Sequence, residues 1–296
     1  MGGGGIWAKY VNDFKARVIA DGGTMESPSC AKSDVKFLVQ NPEPVSFTGL
    51  LNDYSGAAAA YSLRLLDNTY SGSAVRVRRA SDNAEQDIAF SNNELDTATL
   101  ETFASGTDAF VTTWYDQSGN NYNATQTTAA YQPQIVSSGT TILDNGKPSL
   151  AGVYRDTIIS TTFTLSTSNS FFSVNSETGS PFGSYHNIFS FGTLQTYSTG
   201  TNYQLFQGSA YDTGLSFDTQ AVISEITNSG TLEFFKNGTS GGTRSATFGT
   251  QDLKIMGFSG GQALNGKMQE LVIYDVNQSS NRTGIETNIN DFYSIY

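Results

Sequence analysis

Near the N-terminus, Ile6, Trp7, Tyr10, Val11, Phe14, Val18 and Ile19 recur at spacings of three and four, which predicts one apolar helix face. Asp21-Gly22-Gly23 ends that helix, because glycine takes the left-handed conformation that follows a last turn. A second short helix is predicted from Ser27, a good N-cap, with Pro28 at the first helical position and Val35, Phe37 and Leu38 on its apolar side. Asn41-Pro42-Glu43-Pro44 breaks it. Two such helices cannot build a core alone, so they pack on the rest of the chain or serve docking or oligomerisation. From Val45 the period changes. Short apolar runs alternate with Gly, Asn and Ser clusters, and helices are expected only at Ala57–Leu66, Thr97–Ala104 and Asn281 to Ile289. Strands are predicted at 75–78, 88–90, 109–115, 134–136, 171–174, 188–191, 203–206, 222–226, 232–235, 254–257 and 268–274. So many short strands indicate a sandwich or barrel and not alternating β-α units. The expected organisation is a helical anchoring or oligomerisation segment, 1–44, and a mostly β domain, 45–296.

Composition narrows the partners. A net charge of −11 disfavours nucleic acid and anionic membranes, which require clustered Lys and Arg. Charged residues make up only 15%, as is typical of extracellular or virion-surface β-proteins. Cys30 is the single cysteine, which excludes an internal disulfide framework and thiolate zinc ribbons. No apolar run approaches the ~20 residues that span a bilayer, and the first residues lack the pattern of a signal peptide. That combination suggests release by cell lysis, or a trimmed chain.

Two segments carry a recognisable pattern. Leu232-Glu233-Phe234-Phe235-Lys236-Asn237-Gly238, then Asn265-Gly266-Lys267, Glu270-Leu271-Val272-Ile273-Tyr274 and a closing helix, resemble the C-terminal end of concanavalin A-like (laminin-G-like) domains. Further upstream stand Tyr54-Ser55-Gly56, Tyr70-Ser71-Gly72, Val75-Arg76-Val77-Arg78-Arg79 and Trp114-Tyr115-Asp116-Gln117-Ser118-Gly119-Asn120. Together these resemble the catalytic domain of the α-L-arabinofuranosidase B family, and similar blocks occur in bacteriophage tail, fibre and capsid-associated proteins. Both resemblances imply a concanavalin A-like jelly-roll β-sandwich. The family resemblance also implies two catalytic carboxylates. The nucleophile would fall in Phe189–Gln195 and the acid/base in Met256–Gln262, and neither window holds an acid. No catalytic residue is therefore expected.

Other candidate residues divide between chemistry and structure. Asp116 invites a catalytic or calcium reading, although Asp-Gln-Ser-Gly-Asn more often caps a turn. His186, the only histidine, cannot build a zinc site without carboxylate partners and is expected in a solvated or hydrogen-bonded loop. Arg76 and Arg78 share a strand face and are expected to pair with Glu85 and Asp87. Tyr197, Tyr203, Tyr211 and Phe217 lie in Gly/Ser/Thr-rich stretches, where exposed rings can stack on sugars. The reading that follows is a bacteriophage virion structural protein, a fibre, spike or decoration module at the virion surface with a lectin-like adhesion domain, non-catalytic and needing no metal or cofactor. It would bind other virion proteins through Ile6, Trp7, Tyr10, Val11, Phe14 and Val18, form a homo-oligomer and touch a host glycan. The alternatives are an arabinofuranosidase-like glycoside hydrolase or a free lectin.

Overall fold

The computed structural model describes residues 47–152, 158–177, 186–199, 201–217, 219–258 and 262–296. The helices expected before residue 44, with Ile6, Trp7, Tyr10, Val11, Phe14 and Val18, lie outside them. In chain order the principal strands are β1 (Ala57–Ser62), β2 (Val75–Arg79), β3 (Glu85–Ile88), β4 (Ala109–Trp114), β5 (Ala124–Thr125) and β6 (Gln134–Ser137). Next come β7 (Leu150–Gly152), β8 (Ile158–Thr164), β9 (Ser170–Glu177), β10 (His186–Phe191), β11 (Leu194–Ser198) and β12 (Asn202–Phe206). The last six are β13 (Ala210–Ser216), β14 (Ala221–Asn228), β15 (Thr231–Lys236), β16 (Thr239–Ser245), β17 (Thr250–Ile255) and β18 (Gly266–Tyr274). Helices are few: α1 (Leu50–Asp53), α2 (Thr97–Ala104) and α3 (Arg282–Tyr293).

Antiparallel pairing arranges these strands as a β-sandwich. One layer runs β16-β15-β14-β9-β18-β1. The other runs β3-β2-β4-β5-β8-β17-β10-β11-β12-β13. Strands β6 and β7 turn the corner between the layers, from β4 to β18. Because side chains alternate across a strand, Phe171, Ile223, Leu271 and Ile273 meet Trp114, Phe189, Phe191, Leu205 and Leu253 in the inter-sheet core. The opposite face of the first layer, with Phe172, Val174, Val222, Val272 and Tyr274, is covered by Leu50 and Leu51 of α1 and by Ile285, Ile289 and Tyr293 of α3.

The helix expected at Ala57–Leu66 is corrected. Its first six residues form β1, paired along β18 from Ala57–Tyr274 to Ser62–Glu270. Four alanines favour a helix locally, but a buried edge position beside a nine-residue strand outweighs the preference. The helix at Thr97–Ala104 is present, with the Asp96 carboxylate accepting from Thr99 N at its start. The Asn237-Gly238 hairpin turn is also present, with φ of 49° and 76°.

Candidate functional site

One end of the sandwich gathers the chemistry. There β9 ends at Glu177, β10 begins at His186, β11 ends at Ser198, β12 begins at Asn202, β13 ends at Ser216 and β15 ends at Lys236. Pairing fixes a row across the second layer: His186 lies beside Ser198, and Ser198 beside Tyr203. From the first layer, Glu177 reaches across so that its Oε1 stands 3.1 Å from His186 Nδ1. A second link follows, in which the Tyr203 hydroxyl donates to Asn175 Oδ1 at 3.0 Å and Asn175 Nδ2 donates to Ser173 Oγ at 3.0 Å.

His186 is 1% exposed, which corrects the expected loop position: it opens a strand inside the protein. Burial pushes its imidazole below the ordinary value. The Glu177 carboxylate stands close but without hydrogen-bond alignment, and with burial governing the shift the ring is neutral near pH 7. Among the described residues, His186 Nε2 and both amide atoms of fully buried Asn187 have no hydrogen-bond partner. Each such atom costs about 1–3 kcal/mol unless water or another group satisfies it, and the two side chains, on successive strand residues, face opposite sides of the sheet. Met256, fully buried, adopts φ of 63° at the same end and donates its N–H to Ile188 O. A non-glycine residue there stores backbone strain, a feature that concentrates at functional sites.

Two further acids approach these strands. Asp144 accepts from Ser176 Oγ at 2.6 Å, one residue before Glu177, and lies 3.9 Å from Lys267 Nζ. Glu225 points into the inter-sheet core, where Thr196 Oγ1 donates to its Oε1 and its Oε2 has no partner among the described residues. Burial pushes its pKa up to about 7, against the opposing pull of Thr196 and Arg244. Being completely buried, Glu225 cannot touch a substrate.

Beside the row, Asn202, Gly214, Leu215, Ser216, Lys236, Asn237 and Thr239 line an open cleft of about 380 Å³. The four aromatic residues expected to stack on sugars do not form an exposed platform. Tyr203 and Phe217 pack edge to face at 4.6 Å in the interior, and Tyr197 is equally buried. Tyr211 is half-buried and donates to Gly241 O. Asp116 caps its turn, accepting from Ser118 N and Tyr122 N. Arg76 pairs with both Glu85 and Asp87, whereas Arg78 bonds Gln132 and Asn83 instead. Among the described residues, no three His, Cys, Asp or Glu side chains converge to hold a metal ion. Glu177 and Asn187 were missed as candidates; the polar run Asn175-Ser176-Glu177 inside an otherwise apolar strand was the available signal.

The sequence profile described as α-L-arabinofuranosidase B, catalytic, matches residues 53–240. Among solved structures, the chain is similar to a GH54 α-L-arabinofuranosidase soaked with a cyclic sulfate inhibitor. The identity is 14% and the TM-score 0.61, over 79% of this chain and 62% of that one. An arabinofuranosidase complexed with arabinofuranosyl-α-1,2-xylobiose is similar at 14% identity and TM-score 0.60, with the same coverage. The chain thus spans about three-fifths of the length of these structures, and at this identity they establish the fold. No curated protein sequence matches. The profile match overturns the expectation of a virion structural protein with a non-catalytic, lectin-like domain, and with it the viral and fibre assignments. It points to a glycoside hydrolase family. The two windows without acids excluded only those windows, and carboxylates elsewhere on the sandwich, Glu177 foremost, remain available.

Proposed function

Because this chain belongs to the α-L-arabinofuranosidase B catalytic-domain family, we propose that it is a glycoside hydrolase that releases arabinose from α-L-arabinofuranosides. The observation that carries the reading is the profile match over residues 53–240, which takes in the strands from β1 to β15 and the end at which Glu177 and His186 meet. Glycoside hydrolysis needs two carboxyl groups, one to attack the anomeric carbon or activate water and one to protonate the leaving oxygen. Glu177 is assigned as a carboxylate facing the sugar, with His186 beside it. Asp144 is held by Ser176 on the opposite face of the same strand and is not assigned as its partner.

The test is arabinose release from 4-nitrophenyl α-L-arabinofuranoside by the full chain, by E177Q and by the control D144N. E177Q is expected to lower kcat/KM by about 10³-fold with an unchanged circular dichroism spectrum, and D144N to leave it within about twofold. Release unaffected by E177Q would transfer the role to another acid. No release by the wild-type chain on any arabinofuranoside would refute the function itself.

A further inference from the structure

The turn that joins β12 to β13 at the free edge of the second layer is fastened by hydrogen bonds more than by burial. From Phe206 to Tyr211 no residue is fully buried. Arg244 of β16, in the other layer, supplies the main grip. Its Nη1 donates to Leu205 O at 2.8 Å and Ser209 O at 3.1 Å, and its Nη2 donates to Gln207 O at 3.1 Å. The Gln207 side chain adds a second fastening, donating to Thr247 O and accepting from Thr247 N, both at 2.8 Å. Three neutral carbonyls thus hold a guanidinium, and the turn stays closed on the first layer only while that guanidinium remains with them.

A competing site for the guanidinium lies close by. Thr196, whose hydroxyl donates to Glu225 Oε1, is paired across the strands with Leu205, whose carbonyl Arg244 holds. The two grips therefore sit on paired residues, about 5 Å apart. Glu225 faces Phe171 of β9, Phe234 of β15 and Thr196 of β11; among the described residues Arg244 is the charged group that acts on it, and Tyr197 acts on Arg244. If Glu225 loses its proton, a fully buried carboxylate is left with one oxygen unpartnered among the described residues. The carbonyls of Gln207 and Ser209, by contrast, lie where water can replace Arg244. That asymmetry favours moving the guanidinium to the carboxylate, since an unpaired buried charge costs more than a surface carbonyl returned to water. We propose that Glu225 and Arg244 form a pH-operated catch, in which proton loss from Glu225 draws Arg244 off the β12–β13 turn and frees that turn from the first layer. Burial raises the Glu225 pKa to about 7, which sets the range in which the catch works. The trade still costs the turn its bonds, so the protonated, closed form stays the more stable one.

The catch needs no substrate, so its test stands apart from any hydrolysis. Amide hydrogen exchange of the full chain is followed by mass spectrometry at pH 6 and pH 8, with rates corrected for the intrinsic pH dependence of exchange. With the carboxyl near 4.5 in the open form and about 7 in the closed form, opening of the fragment Gln204–Asp212 is expected to be about tenfold more frequent at pH 8 than at pH 6. The fragment covering β18 reports on the rest of the sandwich and is expected to hold its protection. E225Q cannot ionise, and its turn is expected to exchange at both pH values as slowly as the wild type does at pH 6. R244A removes the clasp at a half-buried position, leaving the inter-sheet core intact, and its turn is expected to exchange at pH 6 at least as fast as the wild-type turn does at pH 8, with no further rise. Should E225Q fail to fold, the comparison of R244A with the wild type carries the test by itself. Equal corrected exchange of the wild-type turn at the two pH values would overturn the proposal. So would a tenfold rise that persists in E225Q or in R244A, because the titrating group or the moving one would then be another residue.

Discussion

Glu225 is the residue whose charge the fold resists most plainly. It lies completely buried between the sheets with one oxygen unpartnered among the described residues, and its pKa is raised from 4.5 to about 7. A carboxyl whose folded pKa exceeds its unfolded value favours the folded state only while neutral. Its contribution is therefore complete below pH ~4.5 and is lost as pH rises towards about 7. The loss amounts to on the order of 3 kcal/mol. Urea unfolding from pH 4.5 to 8 is expected to show this decline in the wild type and its absence in E225Q, whose amide keeps the shape without the charge. Parallel pH profiles for the two proteins would show that the charge is relieved by solvent or by Arg244. Residue-level roles were only partly legible in the sequence. The Asp116 cap could be read because Asx turns are local chemistry, but the burial of Tyr197, Tyr203 and Phe217 could not, because it depends on which face of a strand meets a distant sheet.

Elements were legible where the pattern and the tertiary environment agreed. Strands β9, β10, β14, β15 and β18 carry apolar or β-branched runs and lie where expected, each a few residues longer than its apolar centre. Strand β1 was not legible: Ala57-Ala58-Ala59-Ala60 has no β preference of its own, and only pairing with β18 holds it extended. Strands β13 and β16, rich in Gly, Ser and Thr, gave no periodic signal either. Helix α3 shows the opposite case, an amphipathic segment whose one face is needed to seal the first layer. Ile289 sits fully buried there with Ile285, Phe172 and Val272. I289A is expected to cost about 2–5 kcal/mol, the range for removing a large aliphatic side chain from a packed site. Differential scanning calorimetry would register it, and a fall of less than 1 °C in Tm would mean that the helix is not part of the cooperative core.

At the scale of the molecule, the two layers are joined by the motif that stood out in the sequence. The segment Asp116-Gln117-Ser118 follows β4 of the second layer and binds the backbone of β1 in the first. Asp116 Oδ1 accepts from Ala60 N at 2.8 Å, while Gln117 Nε2 donates to Ser62 O and Arg64 O, and its Oε1 accepts from Leu66 N. The Tyr61 hydroxyl adds a bond to Tyr122 O. These contacts tie β1 and the residues just after it to the loop that follows β4, and the buried Ala60 N has no route to water if its acceptor is lost. D116A strands Ala60 N, Ser118 N and Tyr122 N together, each at about 1–3 kcal/mol, so a total of several kcal/mol is expected, with partial relief from water at the loop. Q117A should cost a comparable amount, and because the two side chains grip the same strand, the double variant should lose less than the sum of the singles. Urea unfolding midpoints of the four proteins measure this directly. Strict additivity would mean that the two side chains hold β1 independently, and an unchanged midpoint for D116A would mean that the layers adhere through their apolar faces alone.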